Sequence, residues 1–374
     1  MTKPNKIQLA VLFGGRSGEH QVSLMSAMSV LSVLDQDRYN VTPIGISQDG
    51  NWYIGENIFQ KLQDQDFASL DRVTLLPNPE DATLYKIEIN GEKQSLIPLV
   101  KLDVVFPLLH GTFGEDGTMQ GYLEICDIAY VGAGVLGSSV AMDKGLFKDI
   151  MRQYRFPVLN STIITRSTIQ ENLPEAIRIA EEVSHYPLFV KPANLGSSVG
   201  VTKCHNRQEL MAGLTFAAIY DRRIIIEKGI SAREIEVSVL GNENPEASIP
   251  GEIIPAEEFY SYDAKYLNAD SELIIPARIS EETIEELRLL AVEIYKSVDC
   301  AGMARVDFLF DKDSSRYYVC EINTIPGFTK ISMYPKLWEA SGLSYTKLID
   351  RLIELAMERK VEKDKTERKF RSKS

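Results

Sequence analysis

The sequence predicts an α/β protein of two or three domains with a parallel sheet at its N-terminus, and three stretches predict it. IQLAVLFGG leads through a glycine turn into apolar positions at Val22, Met25, Met28, Leu31 and Leu34, and YNVTPIGIS follows. Strand, helix and strand in that order make a β-α-β unit, which implies parallel pairing. LDVVFPLLHG is a continuous apolar run of the kind shown by a parallel strand buried on both faces. Between Gly302 and Pro335, ARVDFLF and YYVCEIN flank the polar DKDSS, which reads as a hairpin closed by a turn rich in Asp and Ser.

At 374 residues, 44% of them hydrophobic, the chain can bury substantial cores. A net charge of −12 speaks against nucleic-acid binding, which needs basic surface to replace counterions. Cys126, Cys204, Cys300 and Cys320 show no CxxC spacing, so neither a disulfide framework nor a zinc site is indicated. The apolar run after MTKPNK enters GGRSGEH, with no small-residue cleavage site, and reads as a first strand. No segment approaches the ~18 apolar residues of a membrane span. A cytoplasmic protein with no membrane partner is expected.

Taken in order, the turn GGRSGEH lacks both GxGxxG and GxxxxGK[ST], so a dinucleotide or P-loop site is poorly supported. Glu19 stands at the helix start, where the helix dipole alone accounts for an acid. Residues 51–100 read as polar and loop-like. LDVVFPLLHG then ends at His110 and a glycine-rich loop, the end of a parallel strand where ligands gather; a packing histidine is the plainer alternative. Lys144 falls in the first turn of a helix beginning near Met142. A cation there is explained by a phosphate brought to the helix start or, more simply, by solvation. HYPLFVKPANLGSSVGV reads as a strand ending at Lys191, a loop whose N–H groups at Gly196, Ser197 and Ser198 can cradle polyphosphate, and a return strand through VGVTKC. RIIIEKGI and REIEVSVLG carry Glu227 and Glu234; an edge strand can offer backbone groups to adenine, and a carboxylate can grip ribose hydroxyls. Pro255 to Asp270 reads as a long functional loop with Lys265 and Tyr266 as its reaching side chains. SEETIEELRLLAVEIYKSV is a helix capped by Ser280, with Ile284, Leu287, Ala291, Ile294 and Val298 as its core stripe. SYTKLIDRLIELAMER closes the fold, and the charged residues 361–374 are expected to be disordered.

In the hairpin, a turn centred near Ser314 sets Asp307 opposite Glu321 and Arg305 opposite Asn323, all four on one face because side chains two apart share a side. Three oxygen donors suit a hard cation such as Mg²⁺, which completes its shell with waters and phosphates. A solvated hairpin face with an Arg–carboxylate pair is the bland alternative. The following NTIPGFTK adds a Pro-Gly turn that exposes backbone N–H groups beside the cluster.

Read together, HGTFGEDGTMQG, MDK, FVKPANLGSSVGV, EKGISAREIE, DAKY, MARVDF and CEINTIPGFTKISMYP resemble the D-alanine–D-alanine ligase family of the ATP-grasp superfamily, from about Ile7 to Arg359. The resemblance implies three α/β domains, an ATP-grasp fold behind an N-terminal parallel-sheet domain, which we place at residues 1–131, 132–231 and 232–360. It implies ATP-dependent joining of two D-alanines through a D-alanyl phosphate for peptidoglycan precursors. Lys144, Lys191 and Lys265 would meet phosphates, the Ser197–Ser198 loop would close over them, Glu227, Lys228, Gly229 and Ile230 would receive adenine, and Glu234 the ribose. Asp307, Glu321 and Asn323 match ligands of Mg²⁺, a pair of ions being usual in the family, with Mn²⁺ able to substitute. Glu19 corresponds to the residue that orients the first D-alanine ammonium, linked to Ser197 and Tyr266. His110, Arg305, Gly327, Ser332 and Met333 fall where the family holds substrate carboxylates and the oxyanion. A homodimer is likewise implied. Rivals are D-alanine–D-lactate or D-alanine–D-serine ligation, a Rossmann-type NAD oxidoreductase, and a non-catalytic ATP-binding module.

Overall fold

The computed structural model describes residues 6–79, 81–254, 272–329 and 331–369. Three sheets organise them. The first has eight strands, with Ile7–Gly14 at its centre, parallel to Tyr39–Ile46 on one side and to Val104–Pro107 on the other. Ala129–Tyr130 continues the parallel half beyond Val104–Pro107. The strand at the centre is VLF-rich because both its faces are covered, and Leu9 to Phe13 have no exposed surface.

Residues 51–100 overturn the loop expectation. They supply Trp52–Ile54, Asp71–Leu75, Thr83–Asn90 and Lys93–Lys101, which add to the first sheet as successive antiparallel strands, with the helix Ile58–Asp64 between the first two. The outermost strand is exposed along nearly its whole length, so no hydrophobic face ever appears in KQSLIPLVK.

The second sheet is antiparallel throughout, in the order Thr202–Cys204, Leu188–Pro192, Arg223–Lys228, Ser161–Thr165. The hairpin expected across the small-residue loop is present, with Val190 opposite Thr202. In the third sheet Ala232–Gly241 lies between Gly251–Ile254 and Gly302–Asp311, and the latter pairs with Tyr317–Asn323. The helix Glu281–Ser297 packs on this sheet through Leu287, Ala291 and Ile294, with Val298 just beyond its end; Ser280 Oγ accepts the Thr283 N–H as its cap.

The closing helix Tyr345–Asp364 lays Leu348, Ile349, Leu352 and Ile353 against the first sheet, in a core shared with Phe328, Tyr334 and Trp338. It runs further than expected: residues 361–364 are helical, not disordered, because Lys360 reaches Asp127 at 3.3 Å and Lys363 pairs with Glu124. Among the described residues no helix is long and apolar enough to cross a membrane.

Candidate active site

The hairpin register is Arg305 opposite Asn323 and Asp307 opposite Glu321, with a bulge just after Asp307. The Arg305 guanidinium grips Asp307 with two parallel bonds of 2.7 Å, and Asn323 Nδ2 donates to Asp307 Oδ2 at 2.9 Å. From the neighbouring strand, Glu236 brings a buried carboxylate to within 3.0 Å of Arg305 Nε. Burial works against the Arg305 charge, but Asp307 and Glu236 outweigh it and drive its pKa up.

Asp143 starts the helix Lys144–Gln153 by accepting the Leu146 N–H at 2.9 Å, and the same carboxylate pairs with Arg223. Lys144, in the first turn, directs its Nζ to the Leu195 carbonyl at 2.8 Å and to Glu321 Oε2 at 3.1 Å. One ammonium therefore joins the small-residue loop to the hairpin cluster. Ser197 and Ser198 are held in the left-handed region, and the Ser197 hydroxyl donates to Glu19. Glu19 occupies the N-cap position of the helix His20–Leu31 but makes no side-chain cap; its carboxylate lies between two glycines instead. A Cβ on Gly111, which has φ +76°, would stand 2.4 Å from Glu19 Oε2, and one on Gly196 would stand 3.0 Å away.

His110 is buried, and burial pushes its pKa down. Its Nδ1 lies 3.0 Å from the Ile325 carbonyl and its Nε2 2.9 Å from Ser26 Oγ. Because a carbonyl only accepts, Nδ1 carries the proton, and the neutral ring takes the Ser26 hydroxyl at Nε2. Glu115 ties the same two segments, accepting the Gly111 N–H at 2.7 Å and the Ile325 N–H at 3.1 Å; desolvation and the nearby Glu19 raise its pKa to about 8.

Two family models match this chain, described as D-ala D-ala ligase N-terminus over residues 8–133 and D-ala D-ala ligase C-terminus over residues 150–354. The chain belongs to the D-Ala D-Ala ligase family. It is 48% identical over 370 residues to the D-alanine–D-alanine ligase of Natranaerobius thermophilus, covering 98% of this chain and 99% of that one. It is 50% identical over 361 residues to that of Thermoanaerobacter sp., covering 96% and 98%. Among solved structures it resembles the D-alanine-D-alanine ligase from Coxiella burnetii (TM-score 0.81, 36% identity, 96% of each chain). It also resembles the VanG D-Ala:D-Ser ligase from Enterococcus faecalis (TM-score 0.82, 34% identity, 94% of this chain and 100% of that one). The three sheets are those of the three-domain ATP-grasp fold, and the chain is a carbon–nitrogen ligase.

For this ligase-family chain one expectation needs correction. Arg223–Lys228, which carries Glu227 and Lys228, is an inner strand, paired with Leu188–Pro192 on one side and Ser161–Thr165 on the other, so it has no free edge to present. Only Gly229 and Ile230, in the link to the next strand, leave the sheet, and the Gly229 N–H is already given to the Pro187 carbonyl at 2.9 Å. Glu227 is itself buried between two ammonium groups, Lys148 at 2.5 Å and Lys191 at 2.6 Å. Burial raises its pKa, but the two lysines win and hold it at about 2. Lys191 is driven up in turn, against its own desolvation.

Glu234 sits on Ala232–Gly241 opposite Leu309 and Ile253. Ser332 Oγ accepts the Thr329 N–H at 3.0 Å, directly before the helix Met333–Ala340, and a Cβ on Gly327 would meet that oxygen at 2.8 Å. Met333 is buried against Ile253 and Leu337. Lys265 and Tyr266 lie outside the described residues. Three participants escaped the sequence reading: Glu236, Glu115 and Lys148. The first was detectable, since Glu234, Glu236 and Ser238 alternate along one strand. Lys148 shares a helix face with Lys144, four residues earlier.

Proposed function

We propose that this chain joins two molecules of D-alanine into D-alanyl-D-alanine at the expense of ATP, through a D-alanyl phosphate. The observation that carries the proposal is the reach of Lys144 to both Leu195 and Glu321, which brings a phosphate-cradling loop to a face with oxygen donors and a guanidinium.

A carboxylate is a poor acyl donor because its leaving group is an oxide. Phosphoryl transfer solves this: a D-alanine carboxylate oxygen bonds to the γ-phosphorus of ATP, and ADP leaves. Lys144, Lys191 and Lys265 neutralise the phosphates, with Ser197 and Ser198 closing over them. Glu227 keeps Lys191 aligned, while the exposed Lys228 side chain at the end of its strand, together with Gly229 and Ile230 beyond it, faces adenine and Glu234 the ribose. Glu19 receives the ammonium of the first D-alanine, supported by Ser197 and Tyr266. The amine of the second D-alanine then attacks the acyl carbonyl, and phosphate departs. Arg305 and the Gly327 N–H hold the tetrahedral oxyanion, while His110, Ser332 and Met333 shape the substrate pockets.

Among the described residues no three His, Cys, Asp or Glu side chains already converge as a metal site. With Asn323 counted, Asp307 and Glu321 complete a set of hard oxygen donors that fits Mg²⁺, or Mn²⁺ in its place. Such an ion supplies charge neutralisation at the phosphate oxygens. We place the reaction in the cytoplasm, carried out by a homodimer.

ATP consumption measured across D- and L-amino acids in the presence of Mg²⁺ tests the reading. D-alanine alone is expected to drive ADP release and yield the dipeptide. The similarity to a D-Ala:D-Ser ligase makes the acceptor the informative variable: faster turnover with D-alanine plus D-serine or D-lactate than with D-alanine alone would reject D-alanine as the second substrate.

A further inference from the structure

On the face of the first sheet opposite the closing helix lies a cavity of about 440 Å³, within the range of small-molecule sites. It opens where Gly14 and Ile46 end their strands and where Leu109 follows Val104–Pro107. From the central strand the chain passes to Tyr39–Ile46 on one side, and after the antiparallel strands it returns as Val104–Pro107 on the other, which makes the ends of these strands the topological switch point of an open α/β sheet.

Its lining combines two kinds of chemistry. Trp52 and Tyr122 meet edge to face, with centroids 5.8 Å apart, and Ile87 and Met119 extend that apolar wall. Arg16 and Arg72 bring positive charge to the rim, and neither is ion-paired among the described residues, although the chain carries an excess of 12 acids. Arg16 is held in place there: its guanidinium lies 5.0 Å over the Phe113 ring, and a Cβ on Gly50 would stand 2.8 Å from its Cδ. Arg72 is oriented by Asn51, whose Oδ1 accepts from it at 2.9 Å.

We propose that this cavity is a second ligand site, distinct from the ligation centre, which takes a small aromatic anion: a planar ring bearing a carboxylate or a phosphate. The ring packs on Trp52 and Tyr122, and the anion is met by Arg16 and Arg72. Of the residues assigned above to ligation, only His110 also lines it. The inference therefore stands or falls separately from the ligase reading.

The chain has two tryptophans, and Trp338 is buried in a different core, so Trp338→Phe leaves Trp52 as the sole indole reporter. Titration of that full-length variant with 4-nitrobenzoate and with 4-nitrophenyl phosphate is expected to quench its fluorescence saturably, and the tighter of the two names the anion class. Calorimetric titration of the unmodified chain is expected to return the same Kd. Arg16→Ala combined with Arg72→Ala should raise that Kd at least tenfold and leave the KM for ATP within twofold. Equal affinity for nitrobenzene, or an unchanged Kd in the double variant, would overturn the proposal. So would an affinity that falls as protein concentration rises, which would make a second copy of the chain the occupant.

Discussion

Arg305 stands between Asp307 and Glu236, and its value to the reaction lies in its fork, not only in its charge. Arg305→Lys keeps a cation between the two carboxylates but loses the parallel bonds. We expect kcat to fall by about 10²–10³, the usual cost of losing an oxyanion donor, with the urea midpoint little changed. Glu227 makes the opposite kind of prediction. Glu227→Gln leaves the buried Lys148 and the half-buried Lys191 without their counter-charge and should cost about 3–5 kcal/mol in urea unfolding. The pH dependence has a definite sign. Because the folded pKa of about 2 is below the ordinary 4.5, this stabilisation is complete above pH 4.5 and is lost as pH falls towards 2, so the wild-type and Glu227→Gln stability curves should converge in acid. At this scale the hairpin was legible because period-two alternation and a polar turn set its register. Glu236 could have been read from its alternation with Glu234 and Ser238; Glu115, in a glycine-rich loop, and Lys148, on a helix with several other charges, look solvated until their partners, distant in sequence, are known.

The helix Lys144–Gln153 illustrates how an element aims a functional group. Asp143 both caps it and pairs with Arg223, so Asp143→Ala should cost roughly 1–2 kcal/mol and raise the KM for ATP by loosening Lys144. A thermal melt and a steady-state titration together check this; a lower Tm with an unaltered KM would show that the cap serves stability alone. The glycine loop after His110 carries a sharper constraint. Gly111 has φ +76° and its missing Cβ is the space filled by Glu19, so Gly111→Ala should raise the KM for D-alanine far more than that for ATP. Elements with one clean period were read from sequence, as were the central parallel strands and the helix Glu281–Ser297. The four strands within residues 52–101 were not, because their outermost member is exposed along nearly its whole length and carries no buried stripe.

For the whole molecule, three sheets converge on one cleft through a few long-range ties: Ser197 to Glu19, Lys144 to Glu321, and Glu115 and His110 to Ile325. The closing helix adds Lys360 and Lys363 against Asp127 and Glu124, partners that composition alone could not supply for a segment so rich in charge. Surface ion pairs are worth little, so truncation after Arg359 should change unfolding free energy by under about 1 kcal/mol and leave turnover intact. The convergence itself is best tested by following oxygen. When D-alanine labelled with heavy oxygen in its carboxylate is turned over with ordinary ATP, the account predicts one labelled oxygen in each inorganic phosphate released, carried there by the acyl phosphate. Dipeptide formed alongside unlabelled phosphate would contradict it.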